Sequence, residues 1–351
     1  MSNSDESVSL NITNVDVLSR SAPTPKRVNE DRWLAIESPS VPYLFTAAVI
    51  DGAGVRKSLP PLIKVLKDSF PDFTPSAYTA YLLKKSLNEQ LSVEPEKSLR
   101  ETLIIANQTI REMISNIFGN FDSSKILSGL DQHLKHDEHN IRLVLPACVV
   151  TVARLNLTSR QLEFAHLGDT TLLEIFQDGN VVRHTKDQMG PFDCIAFEQI
   201  MALQKEQELS HFRDAMLLPE SRNFIIESGL RLNYVDLDGK TDRHNGCGVV
   251  NGMSEMEDYI ETGVISINPN NTLGFALLTD GLELPTPLHE RAEQRIKRFL
   301  RTSRLIQKHG LRGLHNEVVR MTDRDIYFDR YPRTKHRDDA TGIYIQIEKD
   351  E

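Results

Sequence analysis

The chain has 351 residues, 39% of them apolar and 26% charged, and carries a formal net charge of −9. Those values suit one large globular domain with elaborated loops, and the acidic balance disfavours a broad nucleic-acid footprint. No apolar run of about 18 residues exists to span a bilayer, and the polar start lacks the pattern of a secretory signal, so a cytoplasmic protein with neither membrane nor nucleic acid as partner is expected.

In chain order, residues 1–20 read as a polar, frayed N-terminal segment ahead of a single domain over 21–351. Runs rich in Val, Ile, Phe, Thr and Tyr predict strands at 43–50, 148–155, 161–167, 171–176, 273–279 and 341–347. Asn156 to Arg160 has the length and chemistry of a hairpin turn, which makes the sheet at least partly antiparallel. Helices are expected over 75–91 and 95–118, each opening on proline. In the second, Leu99, Leu103, Ile110, Met113, Ile114 and Ile117 recur at helical spacing, so one face should cover a sheet.

Residues 119–142 are polar. Residues 196–261 form an excursion, helical to about 233 and then a polar, acidic surface stretch over 235–261. A last helical region fills 288–321, with Ile296, Phe299, Leu300 and Ile306 near one face. Its basic stretch from Arg291 to Arg304 reads as a solvated face, the alternative being a docking surface for an acidic or phosphorylated partner. Strands, then helices, then strands again predict an α+β layered domain.

Several residue groups could carry chemistry. Cys148, Cys194 and Cys247 are far apart and in no metal-ligand spacing, which predicts reduced thiols rather than a disulfide scaffold or a zinc site. His133, His136 and His139 are spaced so that a helix would fan the rings apart, and a solvated segment is expected. Asp236 and Asp238 in YVDLDGKTD imitate the nucleophile motif of haloacid-dehalogenase-like phosphatases, but the preceding strand is poor and an acidic turn is expected.

The informative pattern is carboxylates at strand ends. PYLFTAAVI runs into Asp51 and Gly52, LGFALLT into Asp280 and Gly281, and LEFAHLG into Asp169, while Asp338 and Asp339 immediately precede ATGIYIQI. Clustered carboxylates repel unless a cation neutralises them, and oxygen-only donors favour magnesium or manganese. Glycine after Asp51 suits a tight turn.

Through these residues and their neighbours, the chain resembles the metal-dependent protein phosphatases of type 2C. The resemblance rests on KRVNEDRW, AVIDGAG, LEFAHLGDTT, HTKDQ, LLTDGLE and RDDATGIYI, in the family's order from Lys26 almost to the C-terminus. It implies two antiparallel sheets packed face to face and flanked by helices, a four-layer αββα sandwich. It implies two or three Mg2+ or Mn2+ ions, with Asp51 bridging two of them, the Gly52 carbonyl on one, and Asp280 and Asp338 on the other. Glu30 and Asp31 would hold ion-bound waters, and Asp169 with Asp280 a third ion. The implied reaction is in-line attack of a bridging water on phosphoserine or phosphothreonine of a protein substrate, with Asp51 and Asp280 as the catalytic carboxylates. Lys26 stands where the family has a phosphate-gripping arginine, with Arg27 beside it. Val55, Ala53 and Thr170-Thr171 depart from the family's turn, its occasional histidine acid and its Ser-Arg pair. The competing reading is a type 2C fold that binds phosphoproteins or signalling partners without turning them over.

Overall fold

The computed structural model describes residues 10–23, 28–38, 40–53, 60–70, 72–118, 126–127, 138–236 and 238–349. Two five-stranded sheets dominate it. One has the order β1 (Leu10–Arg20), β10 (Ala340–Lys349), β9 (Thr272–Leu278), β6 (Thr171–Phe176) and β7 (Val181–Arg183). The other has the order β2 (Arg32–Glu37), β3 (Leu44–Ala53), β4 (Ala147–Asn156), β5 (Gln161–Leu167) and β8 (Glu261–Ser266). Every strand pairing in both is antiparallel, including the β4–β5 hairpin expected around Asn156 to Arg160.

Side-chain alternation sets the layers. Along β3, Phe45, Ala47 and Val49 meet Phe275, Leu277, Ile343 and Ile345 between the sheets. Ala48 and Ile50 point the other way, toward Leu83 and Leu87 of α2 (Pro75–Val93) and Leu103 and Ile110 of α3 (Leu99–Phe118). Strands buried on both faces carry no polar alternation, which is why β3 and β4 stand out as unbroken apolar runs. On the far side, Leu173, Ala276, Leu278 and Tyr344 pack on Phe299, Ile306, Leu311 and Leu314 of α7 (Ala292–Asp323). Helices, sheet, sheet and helix give the α+β sandwich that the sequence predicts.

Several expectations need correction. Residues 10–20 are not frayed: β1 pairs with β10 from Leu10 opposite Lys349 to Arg20 opposite Ala340, with a bulge between Ile12 and Asn14. That bulge breaks the two-residue period of Leu10, Ile12, Val15 and Val17 and hides the strand. The rest of that segment lies outside the described residues. Strand β2 and helix α1 (Pro60–Ser69) are additions, and the helix expected from 95 begins at Leu99.

The excursion divides into two parts. Helices α4 (Gly190–Glu206), α5 (Phe212–Met216) and α6 (Pro219–Gly229) build a small core of Ile200, Phe212 and Ala215 with Phe328. The stretch 235–261, expected at the surface, instead sends Val250, Met253, Met256 and Tyr259 into the main core. Val250 also exchanges both backbone hydrogen bonds with Cys148, at 2.9 and 3.1 Å. Its acidic residues mask an apolar inner face. Asp236 accepts the backbone N–H of Asp238 and of Lys240, the turn expected there. His133 and His136 lie outside the described residues. All three cysteines are free. Among the described residues no helix is long and apolar enough to cross a membrane.

Candidate active site

The two Asp-Gly pairs owe their glycines to close approach rather than to turns. β3 continues through Asp51 and Gly52, opposite Val149 and Cys148, so Gly52 is a strand residue. A Cβ there would lie 2.7 Å from the Glu30 Cβ. At Gly281 a Cβ would lie 1.8 Å from the Asp339 carbonyl oxygen. Each glycine lets an acid-bearing segment press against the backbone next to Asp51 or Asp280. Gly168, at a φ of +92°, turns the chain out of β5 into Asp169, where any side chain would strike Val149.

Asp51, Gly52, Asp169, Asp280 and Asp338 line one cleft of about 520 Å³. Glu30 and Asp31 lie buried beneath its floor, 8% and 2% exposed. Asp31 Oδ2 accepts the Thr279 hydroxyl at 2.9 Å, while Asp31 Oδ1 and Asp169 Oδ1 are buried without a hydrogen-bond partner. Burial, then repulsion from Asp280, pushes the Asp31 carboxyl up to about 8. Enclosure at the cleft floor, then repulsion from Asp338, pushes Asp280 up to about 7, although its surface opens to the cleft. Asp51 and Asp169 are raised by burial first and by neighbouring aspartates second.

Buried carboxylates that repel and leave oxygens unsatisfied lack positive charge. The donors are all hard oxygens, so the residues present fit a divalent cation of the magnesium or manganese type. Among the described residues no three such side chains already close into a finished ligand shell.

Other residues hold this floor in place, in roles that the sequence did not reveal. Asp339 faces away from the cleft and clamps two segments, accepting the Ala22 N–H and the Glu30 N–H at 2.7 Å each. Thr74, the N-cap of α2, accepts from Ala77 N and donates to Glu30 Oε1 at 2.8 Å. Lys335 donates to both oxygens of Asp338, at 2.9 and 2.7 Å. Glu283, three residues after Asp280, is tied by Arg298, Arg183 and Thr171. Only Asp339 had a visible signal, its place in an acidic pair opening a strand. Lys26 and Arg27, expected to grip phosphate, lie outside the described residues, as does Val55.

A sequence model of the family described as protein phosphatase 2C matches residues 20–316. The chain belongs to the protein phosphatase 2C family. Among solved structures it is similar to a point-mutant form of a bacterial serine phosphatase, with a TM-score of 0.50, 11% identity, and coverage of 97% of this chain and 100% of that one. It is also similar to the serine/threonine phosphatase Stp1 from Staphylococcus aureus, with a TM-score of 0.49, 11% identity and 96% of each chain covered. The Mycobacterium tuberculosis phosphatase PstP/Ppp gives a TM-score of 0.45, 15% identity and coverage of 97% and 99%. At such identities the likeness to the point-mutant structure speaks for the protein phosphatase 2C fold alone. No curated protein matches the sequence.

Proposed function

We propose that the chain is a metal-dependent phosphatase that hydrolyses phosphoserine and phosphothreonine of protein substrates in the cytoplasm. The observation that carries this reading is the cleft floor, where burial first and repulsion among the aspartates second favour their protonated forms, and two carboxylate oxygens have no partner. Three free cysteines accord with a reducing compartment.

Asp51 and the Gly52 carbonyl would hold one magnesium or manganese ion and Asp280 with Asp338 another, with Asp51 shared. Glu30 and Asp31 would fix ion-bound waters, and Asp169 with Asp280 would offer a weaker third position. When bound, such ions acidify a water and neutralise charge on a phosphoryl group. The chain's own contribution is positional. Thr279 fixes Asp31, Thr74 fixes Glu30, and Asp339 locks the Glu30 backbone, so the acids enter the reaction without reorganising. Ala53, which lines the cleft, carries no proton donor for the leaving alkoxide. The cleft wall that would receive the peptide includes Met189, just before α4, with Phe197 and Leu232 from the excursion.

The test is hydrolysis of p-nitrophenyl phosphate and a phosphothreonine peptide with manganese, with and without chelator, beside Asp51→Asn and Asp280→Asn. Turnover should need the metal and fall roughly a thousandfold or more in either variant. A folded wild type that binds manganese yet leaves both substrates intact would reassign the chain as a phosphoprotein-binding member of the family.

A further inference from the structure

We propose that Lys335 is a resident counter-cation of the second ion position, which a divalent ion must displace before it can bind Asp338 and Asp280. The inference rests on the reading of the carboxylates given above. Both Asp338 oxygens accept from the Lys335 ammonium, at 2.9 and 2.7 Å. Those lone pairs are the ones a hard cation would use. Asp280 and Asp51 add attraction for the same ammonium. An ammonium there therefore supplies part of the positive charge that the acidic floor lacks.

Placement argues against an incidental surface pair. Lys335 sits between two arginines that are themselves anchored. Arg333 bonds Asp325 at 2.8 Å and lies over the Phe328 ring at 4.2 Å, while Arg337 grips Asp323 through both carboxylate oxygens. The loop is thus tied on both sides to the end of α7 and its following turn, and the lysine between is presented to the cleft. Its side chain is 39% exposed, so it can swing out on its four-carbon stem without unfolding the loop. An ordinary exposed i,i+3 pair would have little influence on the site. This one blocks donors that the second ion needs.

Two ion positions should then differ in affinity within one chain. Among the described residues no lysine or arginine hydrogen-bonds Asp51, whereas Asp338 is held by a tethered ammonium. Calorimetric titration with Mn2+ would compare wild type, Lys335→Met and Lys335→Arg, each checked for native circular dichroism. Wild type should show one tight and one weak step. Lys335→Met should tighten the weak step by at least about tenfold and leave the tight one unchanged, and Lys335→Arg should stay near wild type. A Lys335→Met titration identical to wild type, or weaker, overturns the proposal. Absence of Mn2+ binding in all three removes the metal reading of the carboxylates and the proposal with it. The expected binding pattern without hydrolysis overturns the phosphatase reading and leaves the role of Lys335 standing.

Discussion

Asp280 and Glu283 lie three residues apart at the same rim of the sandwich, yet their environments are opposite. Glu283 is partly buried where Asp280 opens to the cleft, and Arg183 and Arg298 more than offset the cost of that burial and hold its carboxyl below the ordinary range. Asp280 meets further aspartates, and its carboxyl rises to about 7. The first is a finished structural ion pair. The second is left short of positive charge, which Lys335 offsets only in part, and the contrast locates function better than burial alone.

The largest effect should come from breaking the finished set. Arg298 donates from Nη1 to Glu283 at 3.0 Å and from Nε to Glu290 at 2.9 Å, with its side chain 11% exposed. Arg298→Met leaves two enclosed carboxylates short of a partner and should cost about 3 kcal/mol, with or without metal. A denaturant midpoint close to wild type would show that Arg183 alone suffices for Glu283.

Changing the unfinished set should do the reverse. Asp31 has a folded value of about 8 against an ordinary 3.8, so its contribution to stability is complete below 3.8 and is lost as pH rises toward 8. Asp280 follows the same course toward 7. In chelator, the thermal midpoint should therefore fall between pH 5 and pH 8.5, and added Mn2+ should restore more at the alkaline end. Asp31→Asn should remove this loss, so its stabilisation of the metal-free protein relative to wild type should already be present at pH 5 and grow steadily to its largest at pH 8.5. A metal-free protein whose stability rises with pH over this range would contradict the electrostatic picture of the floor.

This contrast was half legible in the sequence. Asp51, Asp169 and Asp280 follow strands buried on one or both faces, and such strands announce themselves as apolar runs that end abruptly at a carboxylate. What decides the site's mechanics is less local. Asp338 and Asp339 are indistinguishable as letters, yet one lines the cleft and the other clamps Ala22 and Glu30, more than 300 residues away in sequence. The Thr279 to Asp31 bond spans 248 positions and has no local sign. Gly52 was legible as necessary, but its reason, the approach of Glu30, exists only in the folded state.

Helix α7 shows the same limit on a longer element. The spacing of Ile296, Phe299, Leu300 and Ile306 predicts one buried face, but Ile296 is 60% exposed while Phe299 and Ile306 are buried. The helix is also broken at Gly310, where φ is +64°. Asp16 of β1 accepts the N–H of Leu311 at 2.8 Å, and Arg301 pairs with Glu317 across the bend. The two halves are thereby set against the sheet separately, and residues 291–297 at the start of the helix are all exposed. The smallest effect is expected here: Ile296→Gln should change stability by no more than about 0.5 kcal/mol, because no packed neighbour is lost. A loss well above that in a thermal melt would mean that the first turn is covered in solution, and would favour the docking reading of the basic stretch from Arg291 to Arg304 over a solvated face.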